Sequence, residues 1–264
     1  MNILVPVKQV PDTAELPKIQ PSEVVSGNIK ATQILNPWDE YAVEEALRIK
    51  ESKGGKVTAI SFGPADAREA VKRAIAMGAD AAVMLSDDAF ANSDTLGTAK
   101  LIAAAAKKLG EFDLIITGKA AVDGDSQVVP VALGRTLGLP VVTYVAKIRE
   151  IGDGSITVER LLEDGREIVT VPLPAVISVV KEINEPRYPT FMGIRKATRA
   201  KIPVWGAGDL GVDPSEVGEA GAAVKWTNLR KPPAREVKCE IIEGETVEEK
   251  VKTLVDRLIA EKVI

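Results

Sequence analysis

The residues with the most chemical potential lie between Asp113 and Pro130, where Asp123 and Asp125 flank Gly124 and are followed by Ser126. Two carboxylates at this spacing could act as an acid/base pair or hold Mg²⁺. Nothing nearby supplies a second set of ligands, so hydrogen bonding or helix capping is the expected role, and neither a metal site nor a catalytic residue is expected. The run from Leu114 to Thr117 is apolar or β-branched and suits a strand covered on both faces. Gly118 lets the backbone turn, and Ser126 is a candidate cap for a following helix. This stretch reads either as an ordinary strand-to-helix turn with two solvated aspartates or as a ligand loop at the carboxyl end of a parallel strand.

Composition narrows the chemistry further. The chain has 264 residues and no histidine, which removes Ser-His and Cys-His nucleophiles, histidine-ligated metals and the commonest general base. A single cysteine, Cys239, cannot form an internal disulfide, so a reducing cytoplasmic setting is expected. The net charge of −4 and the 4% aromatic content argue against a nucleic-acid partner. No apolar run approaches the roughly 20 residues of a membrane span, and Met1 to Val7 lacks the basic start of a signal peptide.

The elements that must position the loop alternate. Ile3 to Val7 reads as a strand, and the proline-rich stretch from Lys8 to Ala31 as a long connection with room for a small hairpin. Asn36-Pro-Trp-Asp-Glu40 has a cap residue, a proline at the first helical position and acids in the first turn. A strand from Val57 to Phe62, a helix from Asp66 to Met77, a strand from Ala81 to Leu85 and a helix from about Ser93 to Leu109 follow. With the helix after Ser126, this predicts an α/β fold: a mostly parallel, doubly wound sheet with helices on both faces, of a kind that takes a nucleotide at its carboxyl edge. Beyond Pro140, strand-like runs separated by Gly152-Asp-Gly154 and Glu163-Asp-Gly165 predict an antiparallel addition. Residues 1–183 are assigned to this nucleotide-binding domain. Residues 184–264 are assigned to a recognition loop, an extended arm from Pro203 to Glu240 and a terminal amphipathic helix with Val247, Val251, Leu254, Val255, Leu258 and Ile259 on one face. That face must be buried, either by folding back or by docking on another chain, and docking on a partner chain is the favoured expectation.

Neither the phosphate loop with its terminal Gly-Lys-Ser/Thr nor the Gly-x-Gly-x-x-Gly fingerprint in its strand-to-helix context is present. Tyr188 and Phe191, set among prolines and charges, suit an anchor for a partner protein.

These pieces, in this order, resemble the β subunit of electron transfer flavoproteins, including the bifurcating and nitrogen-fixation-associated proteins. The resemblance is carried by Leu4 to Lys8, Asn36 to Ala46, Ser61 to Pro64, Ala74 to Asp80, Gly118 to Asp125 and Asn184 to Tyr188. It is also carried by Val158 to Glu167 followed by Leu173 to Ser178. It implies an electron carrier subunit rather than a stand-alone enzyme, in a heterodimer whose α subunit carries a redox-active FAD. It implies that this subunit binds an adenine nucleotide through Pro6, Asn36, Phe62 and the loop Gly118, Lys119, Ala120, Ala121, Val122, Asp123, Gly124, Asp125, Ser126, Gln127, Val128 and Val129. An acyl-CoA dehydrogenase or a similar flavin dehydrogenase would dock on Glu185, Pro186, Arg187, Tyr188, Phe191 and Lys196, with Phe191 at the position of the family's usual leucine anchor. Asp123 to Asp125 and Leu137 to Val145 are similar to the bifurcating members, which hold a second FAD where ordinary members hold AMP. Gln127 to Pro130 departs from both patterns, so the resemblance places FAD slightly ahead of AMP. The alternative is a stand-alone nucleotide-binding or stress-response module of the same topology, which would have no need of the arm and terminal helix.

Overall fold

A computed structural model describes residues 1–27, 29–233 and 239–264. Its main sheet begins with β1 (Asn2–Pro6), a strand with every residue after Asn2 buried. A two-stranded antiparallel ladder of β2 (Gln9–Pro11) and β3 (Gln33–Leu35) brackets the long connection, which contains the short helix α1 (Pro21–Ser26). Helix α2 (Pro37–Lys53) then leads to β4 (Lys56–Phe62), α3 (Arg68–Met77) to β5 (Ala81–Leu85), and α4 (Thr95–Leu109) to β6 (Leu114–Gly118). Helix α5 (Val129–Leu137) precedes a meander of β7 (Val141–Gly152), β8 (Ser155–Leu161) and β9 (Arg166–Pro172), after which β10 (Ala175–Val179) returns to the centre. Helix α6 (Phe191–Arg199), the two-residue strand β11 (Val204–Trp205) and the short helices α7 (Ala207–Leu210) and α8 (Gly218–Gly221) follow.

The sheet order is β11-β5-β4-β1-β6-β10-β7-β8-β9. Every pairing from β11 to β7 is parallel, and β8 and β9 add antiparallel strands, as the alternation and the glycine-bearing separators predict. The period-two pattern builds two cores. Ile3, Val5, Leu114, Ile116, Ala175 and Ile177 pack with α2 and α3 on one face. Leu4, Ile60, Ile115 and Val176 pack with α4 and α5 on the other. Both faces of the central strands are therefore covered, which is why they read as continuous apolar runs.

Three local expectations are corrected. The helix expected from Asp66 begins at Arg68, preceded by a 3₁₀ turn over Ala65–Ala67. Ser126 does not cap a helix: α5 starts at Val129, and the capping position is Val128. The arm expected over Pro203 to Glu240 does not leave the sheet at its start, because β11 pairs with β5 and Met84 N–H donates to Pro203 O at 2.9 Å; its positions 234–238 lie outside the described residues. Two residues are too few to show a strand period, which is why β11 is invisible in the sequence.

The first compact unit runs from Met1 to Leu229 and the second from Arg230 to Ile264. Residues 184–229 thus pack with the sheet, while the second unit carries α9 (Val247–Ala260). Thr246 caps α9 by accepting from Glu249 N–H, Glu248 and Glu249 sit in its first turn and Arg257 in its last. Val247, Val251, Leu254, Val255 and Ile259 are exposed along it. Among the described residues no helix is long and apolar enough to cross a membrane.

Candidate functional site

The chain passes from β1 outward to β4 and β5, then α4 carries it back past β4 and β1 to β6. The winding direction reverses between β1 and β6, and in open parallel sheets ligands bind in the crevice outside the carboxyl ends at such a point. A cavity of about 440 Å³ lies there. It is lined by Pro6 to Gln9 beyond β1, by Phe62 to Pro64 beyond β4, and by Gly118 and much of the following loop beyond β6. A larger depression of about 570 Å³ lies elsewhere, between β3, α3 and α6. Its charges already pair with each other, Arg73 with Glu40 and Lys72 with Glu69, so the smaller cavity at the strand ends is the better candidate site.

The first turn of α2 joins the three strand ends. Asn36 does not cap the helix with its side chain. Instead its Nδ2 donates to Ala120 O at 2.8 Å, and its Oδ1 accepts from Val122 N–H at 3.1 Å, so one buried amide fixes the loop after β6. Asn36 N–H in turn donates to Lys8 O at 2.8 Å. Asp39 accepts from Lys8 N–H at 2.7 Å and from the backbone of Gly118. Burial pushes its carboxyl up to about 7, against the opposing pull of these hydrogen bonds and of Lys8. Gly118 is required by close approach: a β-carbon there would stand 2.6 Å from Asp39 Oδ1 and 2.7 Å from the Trp38 backbone.

Besides Asp39, two acids around the cavity have their own partners. Asp123 pairs with Lys8 Nζ at 2.6 Å. Asp94 caps α4 through Gly97 N–H at 2.8 Å and also accepts from Ala223 and Val224 N–H, which ties the segment carrying Trp226 to the cavity rim. Its carboxyl lies below the ordinary value; burial opposes this, and those backbone donors outweigh it. Asp125 and Gln127 adopt left-handed backbones with φ of 41° and 59°. Tyr144, itself at φ 61° in the β7 strand, hydrogen-bonds through its hydroxyl to Gln127 Oε1 and pins the end of the loop. Helix α5 opens directly beyond, with Val129 and Pro130 on the cavity wall, so the start of a helix borders the ligand space.

Of the expected nucleotide residues, Pro6, Asn36, Phe62, Gly118, Ala120, Ala121, Asp123, Gly124, Asp125, Ser126, Gln127 and Val129 line this cavity. Lys119 instead lies over the Trp38 ring, 4.4 Å from its centroid. Val122 reaches the site only through its N–H bond to Asn36, and Val128 is exposed beside α5. Sequence reasoning missed Asp39, Gln9 and Trp226. Gln9 Oε1 is buried, borders the cavity and has no hydrogen-bond partner among the described residues.

The expected docking residues divide into two groups. Tyr188 and Phe191 are 89% and 80% exposed, beside exposed Met192 and Ile194. Arg187 and Lys196 face inward, Arg187 to Glu44 and Glu51 and Lys196 Nζ to Ala79 O at 3.0 Å. Glu185 O accepts from Arg48 at 3.4 Å, and Pro186 is half-buried.

With this geometry in place, comparison with known proteins is specific. The electron transfer flavoprotein domain model matches residues 28–210. The chain is similar to the electron transfer flavoprotein subunit beta of Thermoanaerobacterium thermosaccharolyticum, at 43% identity over 100% of both chains. It is similar to the caffeyl-CoA reductase-Etf complex subunit CarD of Acetobacterium woodii, at 40% identity over 100% of both. It is also 36% identical to protein FixA of Azorhizobium caulinodans, over 92% of this chain and 89% of that one. A sheet reversal with a cavity at its carboxyl edge, a family model spanning most of the chain and full-length relatives agree: the chain belongs to the electron transfer flavoprotein family, as a β subunit.

Proposed function

We propose that this chain is the nucleotide-holding and dehydrogenase-docking subunit of a heterodimeric electron carrier. The observation that carries the reading is the cavity at the β1/β6 reversal, whose volume of about 440 Å³ falls within the ordinary range for small-ligand sites. Its residues fit an adenine nucleotide. Gln9 Oε1 is an unsatisfied buried acceptor that suits an amino or hydroxyl donor, Phe62 offers an aromatic edge, and the α5 N-terminus with the left-handed loop suits phosphate oxygens. The nucleotide is FAD in preference to AMP, on the resemblance of Asp123 to Asp125 and Leu137 to Val145. FAD supplies the redox chemistry, and the protein's part is to bind, orient and exclude water. Asn36 and Asp39 hold the loop and strand ends in place; Gln9 and Phe62 orient the ring system. The exposed Tyr188 and Phe191 form the surface for an acyl-CoA dehydrogenase or a similar flavin dehydrogenase, and the α subunit is the obligate partner. The full-length match to proteins named as subunits supports this over a stand-alone module.

The test is nucleotide titration of the heterodimer, stripped of ligand, with AMP, ADP and FAD, in wild type and in a Gln9→Leu variant of nearly the same shape. Loss of one hydrogen bond to a buried acceptor is expected to weaken binding about tenfold for the true ligand. Equal affinity in both forms would remove Gln9 from the site, and no binding to the wild type would overturn the nucleotide reading.

A further inference from the structure

We propose that Arg187 is a positioning residue for the docking surface and does not itself touch the partner; the proposal rests on the docking reading above. Four of the five guanidinium N–H donors are already spent on α2. Nε and one terminal nitrogen donate to the two carboxylate oxygens of Glu44 at 2.7 and 3.1 Å, and both terminal nitrogens donate to Glu51 at 2.5 and 3.1 Å. The Glu44 side chain is only 4% exposed, so the pair is anchored at a desolvated end. The Arg187 backbone N–H also donates to Glu44, at 3.2 Å. Three residues earlier, Asn184 Nδ2 donates to Tyr41 O at 3.1 Å and to Glu45 at 2.9 Å.

The far end of the segment is mounted as firmly. Thr190 caps α6 by accepting from Gly193 N–H at 3.0 Å. A β-carbon at Gly193 would stand 2.1 Å from Ala76 O, so α6 lies directly on the end of α3. Lys196 binds the next turn through Ala79 O. Tyr188 and Phe191 lie between these two mounts and are exposed. A segment ordered before contact has less conformational entropy to lose on docking, so the clamp raises affinity without adding a contact. Helix α2 therefore serves both sites: its first turn holds the cavity through Asn36 and Asp39, and its later turns hold the docking segment through Glu44, Glu45 and Glu51.

The test uses the heterodimer in wild type, Arg187→Gln, Arg187→Lys and Phe191→Ala forms, with an acyl-CoA dehydrogenase and its acyl-CoA substrate as the electron source. Hydrogen exchange at amides 188–194, the half-saturating heterodimer concentration, the maximal rate and the bound nucleotide are measured. Arg187→Gln is expected to speed exchange there about tenfold and to raise the half-saturating concentration about tenfold, with maximal rate and nucleotide content unchanged. Arg187→Lys, which keeps the charge but not the fork, is expected to recover part of both. Unchanged exchange in Arg187→Gln, or a loss confined to maximal rate, would overturn the proposal. If Phe191→Ala leaves half-saturation at the wild-type value, the docking reading fails, while the exchange data still decide whether Arg187 orders the segment.

Discussion

Replacing Gly118 by alanine is expected to strip the nucleotide from the heterodimer and lower its stability by about 1–3 kcal/mol, the usual cost of forcing a methyl group into a closed joint. The new β-carbon would fall 2.6 Å from Asp39 Oδ1 and 2.7 Å from both the carbonyl carbon and the β-carbon of Trp38. Two of these atoms belong to α2's own framework, so no rotamer change relieves the overlap. Helix α2 must move away from β6, taking Asn36 from Ala120 and Val122 and Asp39 from Lys8. Gly165→Ala, in the turn between β8 and β9 and outside the cavity lining, is the internal control, because nothing lies within 4 Å of its added carbon and its φ is not left-handed. Thermal unfolding and nucleotide content of the two variants check the expectation: Gly118→Ala should lower both, and Gly165→Ala should keep both at the wild-type level. A Gly118→Ala protein with wild-type stability would mean that the α2/β6 joint is not closed.

The second large effect is a dependence of stability on pH that runs opposite to acid denaturation. The buried Asp39 carboxyl is pushed from its ordinary 3.8 up to about 7, chiefly by desolvation. Between these values the native state holds a proton that the unfolded chain has released. By linkage, this group's contribution is greatest at the acid end of the window and declines as pH rises through about 7, with a span of about 4 kcal/mol at 1.36 kcal/mol per unit. Glu45, raised by burial, acts in the same direction. Glu44 acts in the opposite direction: burial would raise it, but the Arg187 and Arg48 guanidiniums hold it below its ordinary value, so its contribution is lost on acidification. Asp39→Asn isolates the group. Denaturant unfolding of the variant at a series of pH values from 4.5 to 8 is expected to show a flatter decline than the wild type. Parallel curves would show that Asp39 does not titrate in this window.

Much of the architecture was legible because buried parallel strands and their covering helices leave long, regular signals. The runs at Val57 to Phe62, Ala81 to Leu85 and Leu114 to Thr117, each followed by a helical pattern, suffice to predict the sheet. The joint at the cavity was not legible for a physical reason. Asn36 and Asp39 look like a cap and a first-turn acid, roles that their residue types fill in many helices. Only the folded chain brings Lys8 and Ala120 within reach and gives those side chains other partners. The Arg187 clamp was not legible either, because its acids lie far away in sequence, on α2. Gln9 and Trp226 carried no signal, since their approach to the cavity depends on the hairpin of β2 and β3 and on the Asp94 tether.

The central claim, that this subunit holds its own adenine nucleotide at the β1/β6 reversal, is tested most directly by denaturing the purified heterodimer and identifying and counting the released nucleotides. The account predicts one nucleotide beyond the α subunit's FAD, either a second FAD or an AMP, and predicts that Gly118→Ala releases that one while the α subunit's flavin stays. One FAD per heterodimer with no second adenine nucleotide, or a second nucleotide that survives Gly118→Ala at full occupancy, would contradict it.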